Sequence, residues 1–462
     1  MYIYIICFII LAVICAIITY LSKSKKKDTL TIENKNKNDE SITEYQKLNK
    51  SYLIVYSLVV TGDWLQGPYS YSLYQSYGLN LAQIGWLSVC GFLSSLLFGT
   101  YIGSTADKIG RKKMCLIFCT LYSTACLLIY IPNLYVLLLG RVLSGISTSL
   151  LFSCFEAWLI YEHNSKGFAS SLLSNTLTWA SFLNGFTAII SGLIGNVVVS
   201  LFNYASPYGF AIVIFAISAY YIKFNWEENY GNIEVRNDKE EGISNKINEE
   251  KKSSSALVEG IKVIFKDFTI LSVGLIQSFF ESAMYIFVFL YCPVLEEAHK
   301  LRGYENKLPF GLIFSGFMVC IMIGSRIFNI LTQKRQWKVI TISLPVFLIA
   351  TTSMILPIIT KNEYVLYWTF AVFEICCGMF FPTLGCIKSQ IIPEEVRSSV
   401  MNLFRVPMNA IVVIVLLLIS YLSQETRFII CTILCGLSFV LSFNIFRKEK
   451  NEVLNDRKMP MI

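Results

Sequence analysis

Charge is what this 462-residue chain has little of: 15% of its residues are Asp, Glu, Lys or Arg, against about 25% in ordinary soluble domains. Histidine is scarcer still. His163 and His299 are the only two, both read as loop positions, so imidazole catalysis and metal binding lack their usual side chain. The 14 cysteines contain no Cys-x-x-Cys spacing. Most, such as Cys90, Cys126, Cys154, Cys376 and Cys377, fall inside apolar runs, where a thiol behaves as a small hydrophobe. No Gly-x-x-x-x-Gly-Lys stretch is there to cradle a phosphate, which excludes an ATP-driven pump. No nucleophile, base and acid stand together as a catalytic constellation, so the chain is not expected to be an enzyme or to carry a cofactor or metal.

What is abundant is apolar surface, with 55% hydrophobic and 14% aromatic residues. A bilayer core about 30 Å thick takes about 20 apolar residues at about 1.5 Å rise each. Thirteen runs qualify: 1–21, 52–75, 81–105, 114–131, 134–160, 169–197, 203–224, 268–292, 308–332, 338–359, 364–391, 400–422 and 426–446. The expected fold class is therefore all-α and integral to a membrane. Run 1–21 has no cation before it, whereas Lys23, Lys25, Lys26 and Lys27 follow, the reverse of a secretory signal. It reads as an extra N-terminal transmembrane helix, with an inefficient signal sequence as the alternative, and 22–50 reads as a cytosolic segment. In 225–267 Glu, Asn, Lys and Ser dominate and no apolar period survives, as in a solvated cytosolic linker. It separates a six-helix bundle at 51–224 from another at 268–447, with a cytosolic tail at 448–462. Six spans, linker, six spans is the pattern of two parallel repeats with a substrate path between them.

Cations set the orientation. Of the 39 Lys and Arg, 31 fall in 22–50, the 107–113 turn, the linker, the tail and the other loops of that face. Five, Lys300, Arg302, Lys307, Lys361 and Arg427, fall on the opposite face, and three lie inside apolar runs. Cytosolic loops carry the Lys and Arg excess, so the net charge of +8 reports topology and no nucleic-acid partner.

Ionisable groups within spans are costly, about 2.5–3.5 kcal/mol each on insertion scales, and normally face a pathway or a partner. Here they are Asp63, Arg141, Glu156, Glu281, Arg326, Glu374 and Arg405. Asp63 and Glu281 each lie about a dozen residues into the first helix of their half. Gln66 follows Asp63 by three and Gln277 precedes Glu281 by four, which puts each amide on the face of its acid. A helix-to-helix hydrogen bond that merely glues spans is the plainer reading of each pair. Arg326 and Arg405 lie in the inner halves of their spans. Two guanidiniums converging on a cavity suit a tetrahedral oxyanion, while a structural pair of either with Glu374 explains the same letters.

The turn Gly103-Ser104-Thr105-Ala106-Asp107-Lys108-Ile109-Gly110-Arg111-Lys112-Lys113 resembles the loop between the second and third spans of the major facilitator superfamily. Arg141-Val142-Leu143-Ser144-Gly145 resembles the Arg-x-x-x-Gly element of that superfamily's fourth helix. The first resemblance implies a conformational gate at Gly103, Asp107, Gly110 and Arg111. The second implies a part for Arg141 in ion coupling, against Asp63.

A narrower resemblance rests on Gly62-Asp63-Trp64-Leu65-Gln66-Gly67-Pro68-Tyr69, on Leu150 to Trp158, on Asn225-Trp226-Glu227-Glu228-Asn229-Tyr230 and on Phe280-Glu281-Ser282 with Phe287 to Leu290. Gly311 to Ser315 and Asn402-Leu403-Phe404-Arg405-Val406-Pro407 complete it. Together they resemble the molybdate-anion transporter family from about residue 50 to 446. That implies a major facilitator fold with an additional N-terminal span and import of molybdate across the plasma membrane, an internal membrane being the alternative. On this reading Arg405, with Arg141 or Arg326 and the amides Gln66 and Gln277, binds the oxyanion. Asp63, Glu281, Glu374 and Glu156 are the candidates for proton coupling, and the partners are the anion, protons and the lipid bilayer. A carrier of another anion or small solute, or a receptor or scaffold that moves nothing, fits the same residues.

Overall fold

The computed structural model describes residues 2–22, 39–230, 261–304, 307–393 and 397–456. The middle of the linker and most of segment 22–50 lie outside the described residues. Each of the thirteen apolar runs is helical. In chain order the helices are α1 (Tyr2–Ser22), α2 (Asp39–Gln66), α3 (Ser70–Ser76), α4 (Leu81–Ile109), α5 (Arg111–Leu128), α6 (Leu134–Leu151), α7 (Cys154–Ser165), α8 (Ser170–Leu201) and α9 (Ser206–Asn225). After the linker come α10 (Phe268–Leu301), α11 (Phe310–Asn329), α12 (Val339–Ile359), α13 (Glu363–Ile391), α14 (Arg397–Leu417) and α15 (Gln424–Asp456).

Among the described residues, ten helices are long and apolar enough to cross a membrane by themselves. The other three spans pay for polar sequence: α2 opens on Asp-Glu-Ser, α5 on Arg-Lys-Lys, and α14 is apolar only over Leu403–Leu417. Large side chains such as Leu97, Leu139, Val213, Ile414 and Val440 stay exposed on outward faces, as expected where lipid is the solvent.

Helix starts follow the local chemistry. Asn80 accepts from the backbone of Gln83 while the Gln83 side chain accepts from the backbone of Asn80, a reciprocal capping box. Asn133, Asp267 and Asn362 cap α6, α10 and α13 in the simpler way. Breaks follow backbone chemistry as well. Gly67-Pro68-Tyr69 form a 3₁₀ turn after α2, and the run expected at 134–160 divides at Phe152 and Ser153 into α6 and α7.

The apolar run expected at 268–292 stops short of Pro293, yet α10 continues through that proline to Leu301. Val294, Leu295 and Ala298 prolong its buried face. That packing outweighs the one backbone donor a proline removes. Both histidines, expected in loops, sit in last helical turns, His163 in α7 and His299 in the continued α10.

The chain divides into two compact units. One comprises Met1–Phe8, Ser24–Arg236 and Pro309–Met318. Within it α2 packs on α8 and α9, α5 on α6 and α9, and α4 along α6. The α4–α6 crossing is close because Gly145 faces the α4 backbone: a Cβ there would lie 2.5 Å from the Gly91 carbonyl oxygen and 2.9 Å from Ser94 Cβ. The other unit comprises Ile9–Lys23, Asn237–Leu308 and Val319–Ile462. Here α10 packs on α13, α14 and α15, and α12 packs on α13 and α15. Its core is aromatic, with Phe280, Phe287, Phe370, Phe373 and Phe380 all fully buried.

Candidate functional site

Each unit gathers charged and polar side chains among its apolar helices. In the first, Tyr122 on α5 donates its hydroxyl proton to Asp63 Oδ1 on α2 in a short hydrogen bond. Arg141, on α6, lies within electrostatic reach of that carboxyl. Its Nε donates to the Leu87 carbonyl at 3.3 Å, and the guanidinium rests on the bare backbone of Gly91. Tyr74 on α3, Tyr208 on α9 and Tyr122 surround it electrostatically. The Tyr208 hydroxyl pairs with Ser70 Oγ at 2.9 Å. The Tyr74 hydroxyl, in a residue only 3% exposed, faces Arg141 without a well-aligned hydrogen bond. An acid, a guanidinium and three phenols thus converge from five helices.

Gln66 is not part of this cluster. Its Nε2 donates to the Gly62 carbonyl of its own helix at 3.1 Å, so the amide is spent locally. Trp64 instead reaches α8, donating Nε1 to Asn184 Oδ1 at 2.8 Å. Glu156 is exposed at the start of α7 beside Tyr56, a residue that also faces Asp63.

In the second unit Gln277 and Glu281 are one helical turn apart on α10, which puts the amide on the same helix face as the acid. Lys388, on α13, donates Nζ to Gln277 Oε1 at 3.1 Å. Arg405, on α14, is exposed and within electrostatic reach of both Glu281 and Lys388, and Tyr285 flanks Glu281 and Arg405. Two cations, one amide and one acid therefore meet at the junction of three helices.

The remaining candidates stand apart. Glu374 is buried on α13 among thiols, with Cys320 and Cys377 as neighbours. Among the described residues neither Arg326 nor Arg405 is bonded to it. Arg326, on α11, faces Cys15 of α1. The same α11 ends in a π-turn at Ile330–Lys334, where Lys334 Nζ binds the Leu21 carbonyl at the C-terminus of α1, a favourable place for a cation. For Gly103 and Asp107 the helical backbone is described, and their side chains lie outside the described residues. Gly110 caps α4 with φ 110°, and Arg111 starts α5.

A third cluster lies at the end of the second unit where α10 stops and α13 begins. The Glu363 carboxylate is nearly buried and accepts from His299 Nδ1 at 3.0 Å and Arg302 NH1 at 3.1 Å. The Arg302 guanidinium also stacks on Tyr364, 4.1 Å from its ring centre. Contacts with Tyr364 first, and with Glu363, raise its pKa above the ordinary arginine value.

Sequence reasoning passed over Lys388, Tyr122, Tyr74 and Tyr208. Lys388 stands near the end of the apolar run 364–391, next to the loop cations of that face, and its place inside the run is its signal. The tyrosines carried none, because an aromatic in a span reads as core.

Two helical units with charge clusters set among their apolar helices define a multi-pass carrier of the major facilitator type. The family model described as sugar transporters, 12 TM matches residues 3–370, and that of the major facilitator superfamily matches 304–460. The solved peptide transporter POT in complex with sulfate is 12% identical and covers 88% of this chain and 94% of its own, with a TM-score of 0.66, which shows a shared fold. Among curated proteins, the molybdate-anion transporters of Xenopus laevis and Xenopus tropicalis are 31% and 32% identical over 425 residues, covering 88% of this chain and 88% of each relative. The chain belongs to the molybdate-anion transporter family of the major facilitator superfamily. It is an integral multi-pass membrane protein and a secondary transporter, not an enzyme.

Proposed function

We propose that this carrier imports molybdate across the plasma membrane by alternating access, with protons as the coupling ion. The observation that carries the reading is the Lys388–Gln277–Glu281–Arg405 cluster. A tetrahedral dianion needs two positive charges and several donors in one place. Lys388 and Arg405 supply the charges, the planar guanidinium offers paired N–H groups, and Gln277 fixes the ammonium. Glu281 sits within the same cluster, where its carboxylate repels the anion and its neutral acid does not. Protonation of Glu281 and anion binding therefore favour each other, which is a coupling between two ligands at adjoining sites.

The Asp63–Tyr122–Arg141 group is the second exchangeable acid. With Asp63 charged, Arg141 has an internal counter-ion; with Asp63 neutral, the guanidinium is released to an anion. In this reading Glu374, which has no ion-pair partner among the described residues, is a further proton site, and Arg326 is structural. The test is initial-rate uptake of radiolabelled molybdate into proteoliposomes, with sulfate, phosphate and nitrate as competitors, at two external pH values. Molybdate uptake that rises with an inward proton gradient supports the reading. Saturable uptake of another oxyanion with no molybdate uptake would replace the substrate.

A further inference from the structure

Residues 226–230, a string that the charged clusters do not use, follow α9 with Trp226 extended and are bonded to four helices, α2, α5, α7 and α9. Trp226 lies flat on Trp158 of α7, with ring centres 3.7 Å apart and planes within 5°, and donates Nε1 to Ser51 Oγ of α2 at 3.1 Å. Trp158 Nε1 in turn donates to the Glu227 carbonyl at 2.9 Å. Asn229, 3% exposed, donates Nδ2 to Glu162 Oε1 at 2.9 Å and to the Trp158 carbonyl at 3.3 Å.

The same five residues close the start of α5. The first N–H groups of a helix have no partner within it. Here Arg111 N donates to the Asn229 carbonyl at 2.9 Å, Lys112 N to Glu228 Oε1 at 2.8 Å and Lys113 N to Glu228 Oε2 at 3.2 Å. The Lys112 ammonium reaches the carbonyls of Lys223, at 2.9 Å, and Trp226, at 2.6 Å, at the end of α9. Arg111, Lys112 and Lys113 are three cations at the positive end of a helix dipole, an unfavourable placement that the Glu228 carboxylate offsets. Gly110 makes room for it. A Cβ at that position would lie 2.6 Å from Glu228 Cδ, and its φ of 110° is one that other residues rarely adopt.

We propose that residues 226–230 are a clasp that ties the Gly-Arg-Lys-Lys turn to α2, α7 and α9, and that Glu228 is a positioning residue for transport. The clasp sits where the chain leaves the first bundle for the linker. It makes the base of that bundle one body, so a pull from the linker moves four helices together and does not unravel the α4–α5 turn. Substrate affinity belongs to other residues, so the clasp sets turnover and leaves KM alone.

The kinetic half of this inference rests on the transport reading, and the structural half does not. Both are measured on the full chain in nanodiscs and proteoliposomes, with Glu228→Ala, Glu228→Gln and Gly110→Ala. In Glu228→Ala and Gly110→Ala the amides of 111–113 are expected to exchange hydrogen about tenfold faster, with the maximal rate of molybdate uptake reduced severalfold and KM unchanged. Glu228→Gln, which keeps one acceptor oxygen, is expected to fall between them and wild type. Unchanged exchange at 111–113 in both alanine variants overturns the clasp. Faster exchange with an unchanged maximal rate, or a changed KM, overturns the positioning role. If the wild-type chain moves no molybdate, the transport reading fails while the exchange data alone decide the clasp.

Discussion

Lys388 donates a 3.1 Å hydrogen bond to Gln277, which joins an ammonium on α13 to the helix that carries Glu281. A cation placed in the last turn of an apolar helix ordinarily extends to the membrane surface. Lys388 instead turns inward to the amide, and Arg405 comes within electrostatic reach of it from α14.

Replacing Lys388 by Met keeps the stem and removes the charge. A hydrogen bond involving a charged group is worth about 1.5–3 kcal/mol, and each 1.4 kcal/mol is a factor of about ten in affinity. Lys388→Met is therefore expected to raise KM for molybdate by about tenfold or more, and Lys388→Arg to recover part of the loss. Initial-rate uptake normalised to protein in the membrane checks both.

Asp63→Asn removes the titrating carboxyl of the first unit and leaves Arg141 without its counter-ion. Uptake by this variant is expected to lose the share of its response to an imposed proton gradient that Asp63 carries, with Glu281 keeping the remainder. Tyr122→Phe deletes only the hydroxyl that donates to Asp63 and is expected to keep that response at a reduced rate. Uptake at matched internal pH and stepped external pH separates the two.

Gly145→Val tests the α4–α6 crossing. The new side chain must displace the Gly91 carbonyl or Ser94, and overpacking of this kind costs about 1–3 kcal/mol or more. The expected result is a lower thermal midpoint in detergent, with Gly145→Ala milder than Gly145→Val.

Glu363→Gln tests the third cluster. It leaves the Arg302 guanidinium with a neutral partner and is expected to lower the thermal midpoint and speed hydrogen exchange at 299–304, with KM unchanged. The folded pKa of Arg302 is raised, so its contribution is complete below the unfolded value and fades only as pH climbs through the folded one. Both lie far into the alkaline range, and Arg302 therefore adds no pH dependence to stability between about pH 5 and 8.

Much of the architecture was legible because a bilayer restricts what sequence can do. Thirteen apolar runs became helices since no other open structure satisfies the backbone in lipid. The Gln277–Glu281 pair followed from helical spacing. Gln66 did not, because an amide four residues past a glycine can satisfy itself on its own backbone. Lys388 looked like any cytosolic-side cation, and its inward turn depends on Gln277, a residue 111 positions away. Tyr74, Tyr122 and Tyr208 join Arg141 only through packing of α3, α5 and α9. Glu228 was hidden in polar sequence that reads as solvated linker, since capping a distant helix leaves no local pattern.

In the proposed transport cycle Lys388 and Arg405 together hold the transported anion. The most direct test is equilibrium binding of radiolabelled molybdate to purified wild-type protein and to a Lys388→Met, Arg405→Gln double variant of equal thermal stability. Saturable binding by wild type that is lost in the double variant is the predicted result. Equal binding by both would contradict the account.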